Sequence, residues 1–261
     1  MKTKEETKKY LYSVVIDFVK AIPAGFFIAL AGLAYLCCES KVVGALFFTV
    51  GLFCILVFNL NLFTGKICYA FTAKPKYVFN LFAIWCGNFV GASGTGLFIR
   101  LIRLSSLIEK CTSIANAKLN DGLFSVFILA ILCNILIFIS VHGFNNFKSD
   151  LVRVIALFFG VSVFVLCGFE HCVANMFYFT FAGVWSAKAF GYLLIMTLGN
   201  IIGGIGAYFA LVAWQKSKVT KQQNLDAENK TEIKLCETKE SVQMISRADS
   251  DNDVDNNTKQ V

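Results

Sequence analysis

Six stretches of this chain are apolar over lengths that suit a lipid bilayer. About 20 apolar residues cross the hydrocarbon layer as a helix. Residues 14–38, 42–61, 77–102, 122–141, 151–169 and 190–214 each offer a run of that order. Two runs are interrupted. The second breaks at Asn61-Leu62-Phe63-Thr64-Gly65-Lys66 and resumes over 67–71. The fifth breaks at Gly168-Phe169-Glu170-His171-Cys172-Val173-Ala174-Asn175-Met176 and continues to 181. The pattern predicts an all-α membrane protein with six transmembrane helices, of which the second and fifth are broken.

A carboxylate, an imidazole and an amide therefore fall inside an apolar run at Glu170, His171 and Asn175. Ionisable groups at such depth are costly and mark functional sites by default. Composition agrees with the membrane class. The 261 residues are 57% hydrophobic before the 19 glycines are counted, against roughly 45–50% with glycine in soluble domains. Eight of the ten cysteines lie in or beside apolar runs, as small buried thiols do, and no CxxC pair suggests zinc. The net charge is +7. Most bases of the body flank apolar runs, where anionic headgroups attract them, and no basic stripe interleaves with exposed aromatics as in a nucleic-acid surface. An enzyme would need a metal cluster or a nucleophile–base pair. With only His142 and His171, far apart in sequence, no enzyme, cofactor or metal site is expected.

Three regions follow. Residues 1–12 form a basic N-terminal segment, 13–214 the membrane domain, and 215–261 a polar tail rich in Asp and Asn, expected to be disordered. The apolar run after the basic start is too long for a cleavable signal. Lys and Arg near the run ends are more numerous on the side holding both termini, which predicts cytoplasmic termini in a multi-pass protein of the plasma (inner) membrane. Residues 103–121 form the longest internal loop on this reading.

The halves repeat. Each has a broken helix followed by a GNxxG string, Gly87-Asn88-Phe89-Val90-Gly91 in the first and Gly199-Asn200-Ile201-Ile202-Gly203 in the second. Three spans per half is odd, so the second half enters the membrane from the opposite side. This inverted 3+3 repeat would bring the paired breaks to a site near the midplane. Glycine at those spots permits close helix contact.

The string Gly168 to Met176, the Leu62-Phe63-Thr64-Gly65 break, both GNxxG elements and Ala24-Gly25-Phe26-Phe27-Ile28-Ala29-Leu30 together resemble the formate/nitrite transporter family over about residues 21–214. The resemblance implies a homopentamer of aquaporin-like protomers, each with its own pore, although neither break carries the Asn-Pro-Ala of a true aquaporin. It implies small monovalent weak-acid anions such as formate, nitrite or hydrosulfide, or their conjugate acids, as the permeant. The family's central His corresponds to His171, between two apolar constrictions. Its ordinary pKa suits hydrogen bonding or proton transfer near neutrality.

By the same resemblance, Thr64 bridges His171 and the permeant, with a helix-capping role also open. Lys118 corresponds to a vestibule lysine that attracts anions, or it snorkels to headgroups. Asn134 lines the pore or joins two helices, and Asn175 follows His171 by one turn. Phe48, Leu52, Leu62, Phe63 and Phe164 match constriction positions, unless they are ordinary core residues. Glu170 and Gly65 are expected to serve the breaks structurally, Glu170 by holding backbone N–H groups or a neighbouring side chain. The expected scheme has Lys118 drawing in the anion and protonation before or at His171. A proton-coupled alternating-access monocarboxylate transporter is the competing reading. The chain departs from the family at Asn59 and Asn61, where a Gly and an acidic residue are frequent, and Lys66 follows the first break directly.

Overall fold

The computed structural model describes residues 2–214 and, beyond them, 218, 219, 225 and 230. The chain divides into two units, 1–210 and 211–261. In the second unit the described residues are helical. Apart from those few positions, the expectation of a disordered tail over 215–261 lies outside the described residues.

The first unit contains only helices and their connections among its described residues. They are α1 (Lys2–Cys37), α2 (Lys41–Val57), α3 (Phe63–Ile67), α4 (Tyr77–Ile99), α5 (Ile108–Leu119), α6 (Leu123–Asn146), α7 (Asp150–Leu166), α8 (Cys172–Ala182) and α9 (Ala187–Tyr208). Four of the chain's helices, α1, α4, α6 and α9 with its extension to Val212, are long and apolar enough to cross a membrane. Their outward faces carry Phe79, Phe82, Phe98 and Phe124, all well exposed. Such a surface suits lipid and not water.

One expectation is corrected. Residues 103–121 are not a loop: a 3-10 segment, Arg103–Leu107, leads into α5. Cys111, Ala115 and Leu119 recur at one-turn intervals on α5 and bury one face; three apolar positions among polar ones are a weak signal in a chain otherwise so apolar. The helix that carries the first apolar run begins at Lys2, extended ahead of that run by polar turns that include a Glu5–Lys9 ion pair of 2.8 Å one turn apart.

The helix ends before the two breaks are built alike. After α2 the chain turns left-handed at Asn59 (φ 50°), and after α7 at Gly168 (φ 72°). Leu60 N–H bonds Ile55 O at 2.9 Å and Asn59 N–H bonds Leu56 O at 3.2 Å. Phe169 N–H bonds Phe164 O at 2.9 Å and Gly168 N–H bonds Val165 O at 3.1 Å. Both are the six-to-one plus five-to-two closure that satisfies the last carbonyls of a helix. Next, Asn61 N–H reaches Lys20 O of α1 and Glu170 N–H reaches Leu129 O of α6, each at 3.3 Å. The pairs 59 and 168, 61 and 170, and the helix starts 63 and 172 keep one constant separation. Asparagine is among the few non-glycine residues that visit the left-handed region readily, which accounts for Asn59 where the family favours glycine.

Candidate functional site

Two buried asparagines hold the breaks. The Asn88 amide donates to Ala21 O at 2.8 Å and Asn61 O at 2.9 Å, and its Oδ1 accepts from Phe63 N–H at 2.8 Å. The Asn200 amide donates to Ala130 O at 2.8 Å and Glu170 O at 2.9 Å, and its Oδ1 accepts from Cys172 N–H at 2.9 Å. Each side chain therefore ties one break, the start of the short helix after it and a long helix into one unit. The flanking glycines allow this approach: a Cβ on Gly91 would strike Ile22 O, and one on Gly203 would strike Ile131 O. The GNxxG strings were legible in the sequence as close-packing elements, but the work of their asparagines was not. The available signal was a matching amide, in both halves, inside an apolar helix.

Removing either clamp orphans a buried N–H and the carbonyl of the break, and takes a second bond from a helix carbonyl that keeps its own helical partner. Asn200→Leu keeps the bulk and loses all three bonds. It is expected to cost about 1–3 kcal/mol for each group left unpaired, read as a lowered Tm in detergent. An unchanged Tm would show that the break closes without its amide.

The clamps bring Thr64 and His171 together. Thr64 Oγ1 lies 2.9 Å from His171 Nε2, both side chains being buried. His171 is the N-cap of α8, and its Nδ1 accepts from Ala174 N–H at 3.1 Å. A backbone N–H can only donate, so Nδ1 carries the lone pair and Nε2 of the neutral ring carries the hydrogen. Nε2–H therefore donates to Thr64 Oγ1, and the Thr64 hydroxyl proton is left to donate elsewhere. Thr64 itself is not the N-cap of α3; that position is Leu62.

Two cavities flank this pair. One, of about 340 Å³, is lined by Phe48, Lys118, Phe164, Glu170, His171 and Asn175, among others. The second, of about 130 Å³, is lined by Leu52, Leu62, Gly65 and Lys66, among others. Helix α2 runs from the first to the second: Lys41 and Phe48 face the larger cavity, Leu52, Ile55 and Leu56 the smaller. In the lining of the larger cavity Phe48 meets Phe164 edge-on, with centroids 5.8 Å apart, and Phe164 stacks on the His171 ring at 5.8 Å.

The remaining candidates separate. Lys118 Nζ is 2.7 Å from Glu170 Oε2, and Asn175 Nδ2 donates to the same oxygen at 2.8 Å. Glu170 thus holds side chains, and the Lys118 charge is already paired. The Asn134 amide donates to Thr64 O at 3.2 Å and Asn200 O at 2.6 Å, linking α6 to α3 and α9. Neither Asn134 nor Phe63 is among the residues lining the two cavities. Asn61, where the family favours an acid, donates to Asp17 Oδ1 at 2.8 Å, and Asn80 donates to Asp17 Oδ2 at 2.8 Å. The carboxylate comes from α1 instead of from the break. Beside the site, on α5, burial pushes the Cys111 thiol up to about 12, which leaves it protonated and unreactive. Among the described residues no group of His, Cys, Asp and Glu could hold a metal.

Comparison with known proteins bears on this arrangement. A family-wide sequence pattern described as "Formate/nitrite transporter" matches residues 2–215. The formate channel BtFdhC of Bacillus thuringiensis is 31% identical over 205 residues, covering 69% of this chain and 76% of that protein. The formate channel FocA of Haemophilus influenzae is 28% identical over 238 residues, covering 72% of this chain and 82% of that one. A solved structure described as a pentameric formate channel with formate bound superposes with a TM-score of 0.66 at 24% identity, over 79% of this chain and 98% of the other. At that identity the likeness speaks for the fold.

Proposed function

Because this chain belongs to the formate/nitrite transporter family, a family of multi-pass membrane channels and not of enzymes, we propose that it is a channel for small monovalent weak-acid anions. Formate, nitrite and hydrosulfide are the permeants this reading puts first. The single observation that carries it is the buried Thr64–His171 pair, with His171 lining the larger cavity beside Phe48 and Phe164, and Gly65, next to Thr64, lining the smaller with Leu52. A hydrated ion loses its shell at such apolar walls, whereas a small acid that has taken up a proton crosses at little cost. Low dielectric raises the pKa of the permeant acid itself, so the walls favour the species they can pass.

The architecture proposed is six membrane spans in an inverted 3+3 repeat, with α2–α3 and α7–α8 as the broken helices. The matched helix ends at Asn59 and Gly168 and the matched clamps at Asn88 and Asn200 support it. We place the channel in residues 13–214 and both termini, including residues 1–12 and the tail 215–261, on the cytoplasmic face of the plasma membrane. A homopentamer with one pathway per protomer is the proposed assembly, in keeping with the pentameric formate channel to which the fold is similar.

Proton coupling at His171 carries a structural condition. Nε2 already holds a hydrogen, so an imidazolium needs a second one on Nδ1. Placing it there breaks the Ala174 N–H···Nδ1 bond of 3.1 Å that caps α8. The resting ring is neutral and donates through Thr64. Becoming a proton donor requires opening the cap.

The test is a substrate panel in proteoliposomes at two external pH values. Uptake of formate, nitrite and hydrosulfide should rise as external pH falls, because more of each acid is protonated at the site. Chloride and nitrate, whose acids stay dissociated, should not cross. Equal uptake of chloride, or flux of the weak acids that ignores pH, would discard the reading.

A further inference from the structure

The two cavities differ in charge. The Lys, Asp, Glu and His side chains lining the larger one are Lys41, Lys118, Asp121, Glu170 and His171, two cations against two carboxylates, and the Lys118 charge is tied to Glu170 at 2.7 Å. The smaller cavity is lined by Lys66, with no carboxylate among its lining residues. Lys66 is half-buried between Gly65 and Ile67, both buried, on the short helix directly after the break. No hydrogen bond or ion pair engages its ammonium among the described residues. Asn59 and Asn145 add amides to the same lining, while the Tyr69 hydroxyl there is taken up by His142 Nδ1 at 3.1 Å. A cation in a concave site with low-dielectric walls focuses its field on whatever enters.

The geometry points to Lys66 as an anion-collecting site: the smaller cavity concentrates small monovalent carboxylates or oxyanions two residues beyond Thr64, and the larger cavity does not. This deepens the channel reading and rests on it for the fate of the anion. It makes the pathway electrostatically lopsided. Anion uptake from the Lys66 side saturates at lower concentration than uptake from the Lys118 side. In the sequence Lys66 stands out only as the residue directly after the first break; its position in a cavity lining favours an anion site over a lysine reaching for headgroups.

The experiment compares wild type, Lys66→Gln and Lys66→Arg in vesicles of determined orientation, measuring initial formate flux against concentration from each side. Lys66→Gln is expected to raise the half-saturating concentration from the Lys66 side about tenfold, with maximal flux and the opposite side unchanged. Lys66→Arg should restore it. Sulfate, which carries more charge but cannot cross, should inhibit wild type from the Lys66 side alone and lose that effect in Lys66→Gln. An unchanged or symmetric shift, or sulfate inhibition that survives the substitution, overturns the inference. A wild type that passes no weak-acid anion overturns the channel reading instead. The site is then judged by whether formate protects Lys66 from an amine-reactive label: protection keeps the anion site and its absence ends it.

Discussion

Replacing His171 by phenylalanine is expected to lower weak-acid flux about tenfold to a hundredfold, the worth of one hydrogen bond to a charged group at roughly 1.5–3 kcal/mol. The new ring keeps the stack on Phe164, whose centroid is 5.8 Å away. It loses the 2.9 Å contact with Thr64 and the 3.1 Å cap to Ala174 N–H. The lost cap should itself lower stability by about 1 kcal/mol, so flux must be read at equal amounts of folded protein. His171→Asn separates the two effects, since asparagine is a good N-cap but offers no ring. Thr64→Val removes the partner from the other side. If Thr64 relays the imidazole's hydrogen bond, the double substitution should cost little more than His171→Phe alone. Flux that survives His171→Phe would remove the imidazole from the transport step.

Breaking the Lys118–Glu170 pair should have the largest effect on stability. Both side chains are nearly out of solvent, at 13% and 4% exposure. Removing one partner of a buried pair leaves an uncompensated charge and costs about 3–5 kcal/mol. Lys118→Met is therefore expected to lower Tm strongly, and Lys118→Met with Glu170→Gln to recover much of the loss. The recovery is the informative result, because it separates the pair's structural part from any attraction Lys118 exerts on a permeant. A double variant as unstable as the single one would mean that the loss comes from the lysine's own packing and not from an uncompensated carboxylate.

This pair changes what Lys118 can do. A lone cation above an apolar wall draws anions, but one already bonded to a carboxylate presents a dipole whose field falls off faster. The lysine and the glutamate are 52 positions apart in sequence, and no spacing rule brings α5 onto the break before α8. Asn134 is a parallel case. Pore lining and an interhelical bond were both open from sequence; the structure spends its amide on the carbonyls of Thr64 and Asn200.

Other parts were legible early, for identifiable reasons. The long spans show in the sequence because lipid demands continuous apolar length, which is a local property. The breaks show because polar and ionisable residues inside such runs are expensive and therefore conspicuous. Gly87-Asn88 and Gly199-Asn200 show because a glycine beside a buried amide stands out inside an apolar helix. Helix α5 stayed hidden because its buried face is three small or apolar residues, Cys111, Ala115 and Leu119, within a polar stretch. Asn59 looked like a departure until its φ of 50° identified it as the counterpart of Gly168.

The sequence by itself determined that this chain belongs in a bilayer, where its helices are interrupted and which imidazole lies at an interruption. These follow from hydropathy and from the cost of burying charge, both of which act along the chain. Only the tertiary structure decided which groups face each other across the interruptions. It pairs Thr64 with His171, ties Lys118 to Glu170, and leaves Lys66 without a carboxylate in its cavity. Partnership depends on how α3, α5 and α8 pack between the long helices, and packing joins residues whose separation along the chain carries no information about their distance in space.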